Sequence, residues 1–125
     1  LQVGIRSGTK EEFKFMSQKK QLVKFLPGGN AQELKKALLP YSNSPIYLTI
    51  DLDWFDPSLL PGTGTPEPGG FFWNDFEVIL ETLKDFKIVA SDIVELSPEI
   101  DNSGVSSIVA AKVLRSLIMS VQNMQ

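Results

Sequence analysis

Ile46-Tyr47-Leu48-Thr49-Ile50-Asp51-Leu52-Asp53-Trp54-Phe55-Asp56-Pro57 is the stretch whose reading decides the fold. Its first five residues are β-branched, aromatic or aliphatic and predict a buried strand. Acidic residues follow at once. In open α/β sheets ligands bind beyond the carboxyl ends of the strands, which is where Asp51 and Asp53 stand. If extended backbone continues through the pair, residues two apart share a face. Both carboxylates then point one way, and Ile50 and Leu52 the other. Like charges side by side raise one another's pKa unless a cation neutralises them. Hard divalent ions such as magnesium or manganese suit such oxygen donors, and one carboxylate can bridge two metals about 3.5–4 Å apart. Asp56-Pro57 reads as loop initiation, with Asp56 holding the loop through backbone hydrogen bonds.

The Asp-Leu-Asp tripeptide alone leaves other readings open. Aspartates are common turn formers. Haloacid-dehalogenase-type phosphohydrolases place two aspartates two apart after a strand, and nucleotide-sugar glycosyltransferases hold manganese with a similar pair. The loop that follows, Pro61-Gly62-Thr63-Gly64-Thr65-Pro66-Glu67-Pro68-Gly69-Gly70, combines glycines that permit close backbone approach with prolines that stiffen the segments between. It is no phosphate cradle, because it lacks the Gly-Lys-Ser/Thr ending and no helix starts from it. Glu67 reads as a residue that shapes the loop.

Working outward, Asn74 and Asp75 fall in the next turn, and residues 76–86 carry apolar side chains at helical spacing. Residues 87–95 predict a second strand rich in Ile and Val, 96–102 a polar loop, and 103–119 a long closing helix. Toward the amino end, residues 1–6 form a short apolar strand. Thr9 with Glu12 is a capping box opening a helix through about Lys19. Residues 21–26 predict a short strand, Pro27-Gly28-Gly29 a break, and Asn30 a cap for a helix over 31–39. Strands alternating with helices specify an α/β fold with a mainly parallel sheet and helices on both faces.

The formal charge of −3 excludes a global basic field for nucleic acid, and Lys19, Lys20 and Lys24 read as a solvated face. There is no cysteine, hence no disulfide or thiolate metal site. No apolar run approaches a membrane span and no charged leader precedes one. A cytoplasmic location is expected. The opening Leu1-Gln2-Val3-Gly4-Ile5 reads as an internal strand, and no histidine is present; both predict a fragment.

With these segments laid out, Ile50 to Pro57 followed by Pro61 to Gly70 resembles the third signature block of the ureohydrolase (agmatinase/arginase) family, especially its agmatinase-like branch. Val3-Gly4-Ile5-Arg6-Ser7-Gly8-Thr9-Lys10-Glu11-Glu12 is similar to the family's strand-turn-helix after its histidine-bearing half. Ser91-Asp92-Ile93-Val94-Glu95-Leu96-Ser97-Pro98 resembles its D-x-V-E-x-x-P segment. The deacetylase relatives of this fold lack the Gly-Thr-Gly-Thr-Pro string.

The resemblance implies a three-layer α/β/α fold, with residues 1–125 as the C-terminal half of the domain. It implies two manganese ions per complete site, Asp51 as the catalytic bridging ligand and Asp53 as a ligand of one ion. Glu95 would pair with the substrate guanidinium and Thr65 would support that glutamate. A carboxylate at a strand end suits a guanidinium through two parallel charge-assisted hydrogen bonds, although a plain salt-bridge role is the simpler alternative. The reaction implied is hydrolysis of a guanidino substrate, agmatine to putrescine and urea, with arginine, guanidinobutyrate and formiminoglutamate left open. Two histidines and two aspartates of the family's ligand set, and its loop histidine, have no counterpart here. The chain alone is therefore expected to be inactive; a non-catalytic fragment or assembly subunit is the alternative. The partners implied are a small guanidino substrate and further copies, as trimer or hexamer, with no nucleic acid and no membrane.

Overall fold

A computed structural model describes residues 1–23, 25–29 and 31–122. Lys24 of the basic cluster and the Asn30 cap lie outside the described residues. In chain order the elements are β1 (Gln2–Val3), α1 (Lys10–Gln18), β2 (Leu22–Val23), α2 (Gln32–Leu38), β3 (Ile46–Asp51), α3 (Trp73–Leu83), β4 (Ile88–Val94) and α4 (Val105–Gln122). Short 3-10 turns occupy Leu39–Tyr41, Leu52–Trp54 and Pro98–Ile100. The fold is α/β with parallel strand pairing, as the alternation of elements predicts.

Among the described residues the strands form two parallel pairs, β1 with β2 and β3 with β4, that do not hydrogen-bond to each other. The longer pair runs from Ile46 opposite Ile88 to Asp51 opposite Val94, with an irregularity after Ile46 that leaves Val89 without a β3 partner. Two apolar clusters lie beneath. One joins Leu52, Phe55 and Leu60 to Phe76 and Leu80 of α3 and to Val113 and Leu117 of α4, with Leu48, Ile50 and Ile93 against it. The other joins Val23 to Leu34 and Leu38 of α2, with Leu83, Phe86 and Ile88. The opposite face of β3 carries exposed Tyr47, Thr49 and Asp51.

Local chemistry sets the helix ends. Thr9 and Glu12 form the reciprocal capping box, Glu12 Oε2 accepting from Thr9 N–H at 2.6 Å and Thr9 Oγ1 from Glu12 N–H at 3.2 Å. After α1, Lys20 takes the left-handed conformation (φ 53°), and Gln21 N–H reaches back to Met16 O at 2.9 Å. That is a Schellman-type ending built without glycine.

The first two strands are shorter than the expected 1–6 and 21–26, only Gln2–Val3 and Leu22–Val23 pairing, and two boundaries nearer the site also differ. Asn74 and Asp75 belong to α3, not to the turn before it. Asp75 Oδ2 accepts the Phe72 N–H at 2.8 Å, and its Oδ1 accepts the Gly28 N–H at 2.6 Å. One buried carboxylate thus satisfies a free donor at the helix start and pins the 27–28 turn to it. The second difference is at β3, which ends at Asp51; Leu52–Trp54 turns away as 3-10 helix.

Asp75→Ala leaves both donors without their partner in a site where Asp75 is 4% exposed. The expected cost is about 1–3 kcal/mol, read as a lower urea midpoint, with Asp75→Asn losing less.

Candidate functional site

Leu52 fixes the site's backbone. It is completely buried (0% exposed), and so nearly is Phe55 (1%), so the chain turns into the core between the two acids. The expectation that extended backbone aligns Asp51 and Asp53 is corrected here. The turn brings them together, with Asp51 Oδ1 accepting the Asp53 N–H at 3.2 Å. The other side of the turn is aromatic: the Trp54 ring stacks on Phe71 with centroids 4.2 Å apart and planes 7° from parallel. Gly4 (φ 79°) makes this possible, because a Cβ there would lie 2.3 Å from Trp54 Nε1 and 2.5 Å from Phe71.

Glu95 follows Val94, the residue paired with Asp51 across the ladder. It adopts φ 67°, a left-handed conformation unusual for a non-glycine residue. Strain of this kind gathers where surroundings hold a side chain in place. Glu95 and Asp53 both contribute negative charge that pushes the Asp51 carboxyl up, although burial is the largest cause; the result is about 6 against an ordinary 3.8. The structure therefore gathers Asp51, Asp53 and Glu95 at one end of the β3–β4 pair.

Thr65, which the resemblance implies as a supporting contact near Glu95, makes its side-chain hydrogen bond to the acidic pair. Its Oγ1 donates to Asp53 Oδ2 at 2.9 Å, so its hydrogen bond supports an aspartate. Gly64 is the loop residue beside Glu95: a Cβ on it would sit 4.0 Å from Glu95 Oε2.

The proline-glycine loop is held by three anchors. Asp56 Oδ2 accepts the Gly69 and Gly70 N–H groups at 3.0 Å each, and Oδ1 accepts from Ser58 N–H and Oγ at 3.0 and 2.5 Å. These bonds, Ser58's first, draw its carboxyl down to about 2. Gly62 N–H donates to Ser106 Oγ at 2.8 Å, and its carbonyl accepts from Ser97 N–H at 2.8 Å. This ties the loop to α4 and to the segment after β4. Asp101 organises that corner, accepting Ser106 N–H at 2.7 Å and the Ser103 N–H and hydroxyl at 3.0 and 2.5 Å.

The third anchor is Arg6, to which the Val3–Glu12 segment by itself assigns no role. Its guanidinium donates to Trp54 O at 3.0 Å, Asp53 O at 2.7 Å and Glu67 O at 2.8 Å. It thus joins β1, the acidic turn and the loop. Those partners are 47 to 61 residues away in sequence, so no local pattern could reveal them. Glu67 does shape the loop, through its carbonyl.

Asp51 and Asp53 offer hard oxygen donors, and the raised Asp51 pKa is a penalty that a bound cation relieves. Yet among the described residues no group of three acidic, histidine or cysteine side chains is arranged to hold a metal ion. The donor chemistry of the pair fits one part of a divalent-cation site. No helix among the described residues is long and apolar enough to cross a membrane.

Comparison with known proteins agrees in sequence and in shape. The model of the Arginase family matches residues 1–120. The agmatinase of Bacillus cereus is 34% identical over 119 residues, 93% of this chain and 40% of that protein. The proclavaminate amidinohydrolase of Streptomyces clavuligerus is 35% identical over 91 residues, 73% of this chain and 28% of that protein. A crystal structure described as a putative agmatinase from Clostridium difficile superposes with TM-score 0.83 at 46% identity, covering 96% of this chain and 44% of that one. The chain spans less than half the length of these proteins.

Two outcomes are expected. Asp51 is raised, so its ionisation disfavours the fold: the stability it contributes is fully present below about pH 3.8 and lost as pH rises through about 6. Asp51→Asn therefore raises the thermal midpoint at pH 7.5 and changes it little at pH 4. Arg6→Met lowers unfolding stability by about 2 kcal/mol in urea titration, and Arg6→Lys, lacking the planar fork, restores only part.

Proposed function

Because the chain belongs to the arginase family, and so to the ureohydrolases, we propose that it supplies part of a manganese-dependent site that hydrolyses agmatine to putrescine and urea. The observation carrying this reading is the meeting of Asp51, Asp53 and Glu95 at the carboxyl end of the paired strands. Asp51 and Asp53 would hold the metal. Bound divalent ions supply the Lewis acidity that makes water a nucleophile at neutral pH.

The chain's own residues do the rest. Glu95 grips the planar cation by paired hydrogen bonds and presents its central carbon to water, a positioning role. Thr65 orients Asp53 by the bond to Oδ2. Buried Leu52 and Phe55 anchor the turn that carries both aspartates. Water adds to the guanidinium carbon, the C–N bond to the alkyl nitrogen breaks, and a carboxylate of the pair returns the proton to that nitrogen as the amine leaves.

Agmatine is favoured by the likeness of the Gly4 to Lys10 and Pro66 to Gly70 segments to the agmatinase branch; arginine, guanidinobutyrate and formiminoglutamate are the competing substrates. The absence of cysteine suits a reducing cytoplasm, and a homo-oligomer, trimer or hexamer, is the expected assembly of the complete protein.

A chimera in which residues 1–125 replace the matched segment of the Bacillus cereus agmatinase tests this reading. It should release urea from agmatine with manganese, whereas the 125-residue chain alone should release none. Glu95→Gln should cut turnover on the order of a hundredfold or more while keeping metal stoichiometry; Asp51→Ala and Asp53→Ala should lose bound metal. Turnover by the isolated chain, or full metal content in both aspartate variants, contradicts the assignment.

A further inference from the structure

Gly64 is the one glycine whose missing side chain nothing among the described residues requires. Of the nine glycines in the chain, the other eight either hold a positive φ or would carry a Cβ to within 3.3 Å of another atom. Gly64 does neither. Its φ lies outside the left-handed range, and a Cβ built on it has a single neighbour within 4 Å, Glu95 Oε2 at 4.0 Å. That is ordinary van der Waals contact. An alanine in such a place would stabilise the fold slightly, because the unfolded chain would have less freedom to lose. A glycine that neither backbone nor packing calls for keeps space open, and this space lies beside one carboxylate oxygen.

The gap is held at a fixed width. The Gly62 carbonyl accepts the Ser97 N–H at 2.8 Å, which ties a point two residues before Gly64 to a point two residues after Glu95. Gly62 N–H donates to Ser106 Oγ at 2.8 Å and fastens the same corner to α4. Between them Thr63 is only 2% exposed. On the other side Thr65 Oγ1 holds Asp53 Oδ2 at 2.9 Å. Gly64 and Glu95 themselves are exposed, so the space is reached from solvent while its two walls cannot move apart freely.

We propose that Gly64 is a specificity-determining position: its bare α-carbon leaves room for a planar cation on Glu95 and admits a guanidinium whose terminal nitrogens carry only hydrogen. The inference rests on the reading of Glu95 as the partner of the substrate's guanidinium. A charged donor nitrogen comes to about 2.8 Å from a carboxylate oxygen. A methyl group at position 64, 4.0 Å from Oε2, removes the directions of approach on its own side of that oxygen, because carbon needs roughly 3.5 Å from a non-bonded neighbour. A methyl on the protein and a methyl on the substrate nitrogen are two ways of filling one space. Gly64 therefore acts on which cation is held, and moves no proton.

The test uses the manganese-loaded chimera carrying residues 1–125 within the Bacillus cereus agmatinase, with agmatine as probe. Gly64→Ala should keep the parent's thermal midpoint and manganese content and raise KM for agmatine on the order of tenfold or more. The parent should use agmatine methylated on a terminal guanidinium nitrogen with kcat/KM lower on the order of tenfold or more. A parent chimera without turnover, or a Glu95→Gln variant as active as the parent, removes the reading of Glu95 and this inference with it. With that reading intact, an unchanged KM in Gly64→Ala, or equal use of the methylated substrate, overturns this inference alone. Loss of manganese or of thermal stability in Gly64→Ala also overturns it, by showing that the glycine serves the fold.

Discussion

Burial of one leucine between two aspartates is the constraint on which this structure turns. Leu52 is wholly inside the core, and removing such a side chain from water contributes about 2 kcal/mol. That drives the backbone inward where two like charges would otherwise push the chain toward solvent. The acids are left together at the rim, and the loop can be fastened around them by Arg6, Asp56 and the Gly62–Ser106 bond. Trp54 and Phe71 close the side that Gly4 leaves free. Core packing and site geometry are here the same contacts seen from two sides.

Much of this was legible in the sequence because it is local. The Thr9–Glu12 capping box, the apolar run before Asp51 and the helical spacing after Asp75 depend on residues within a few positions of one another. The place of Asp56 before Pro57 marks it as a holder of loop backbone, and three of its four hydrogen bonds are to backbone N–H groups, the fourth to the Ser58 hydroxyl. What escaped was set by long-range partners. Asp75 looked like a turn residue because its second acceptor serves Gly28, 47 positions away. Nothing local signalled that Thr65 bonds Asp53, or that Arg6 would span three segments.

Burial misled in a related way. Strands of parallel sheets read as largely apolar runs when both faces are covered, and β3 comes close to this from Ile46 to Ile50. Here α3 and α4 cover one face, while Tyr47 (60% exposed) and Val89 (56%) remain in solvent. Periodicity records the environment for which a strand is built, whereas exposure records only what the described residues bring to it. The disagreement between the two therefore carries information about the surroundings these strands suit. The same logic applies to the acidic pair, which no third acidic, histidine or cysteine side chain joins in a metal-holding arrangement among the described residues.

Charge balance gives the last step. Asp51, Asp53 and Glu95 share one sheet end, and the salt bridges among the described residues (Lys35–Asp85, Lys36–Glu33, Lys84–Glu81) lie elsewhere. Arg6 is close to the site, but its guanidinium donates to carbonyl oxygens, and among the described residues no salt bridge reaches the three carboxylates. A fold that brings acids together by burying Leu52 thus creates a negative field it does not neutralise. Two kinds of positive charge satisfy it by different geometry. Compact ions suit the adjacent pair held by the turn, and a flat delocalised cation suits the single carboxylate fixed across the ladder. Because the strained backbone at Glu95 and the turn at Asp53 hold these acceptors on separate segments, the two demands need not compete for one position.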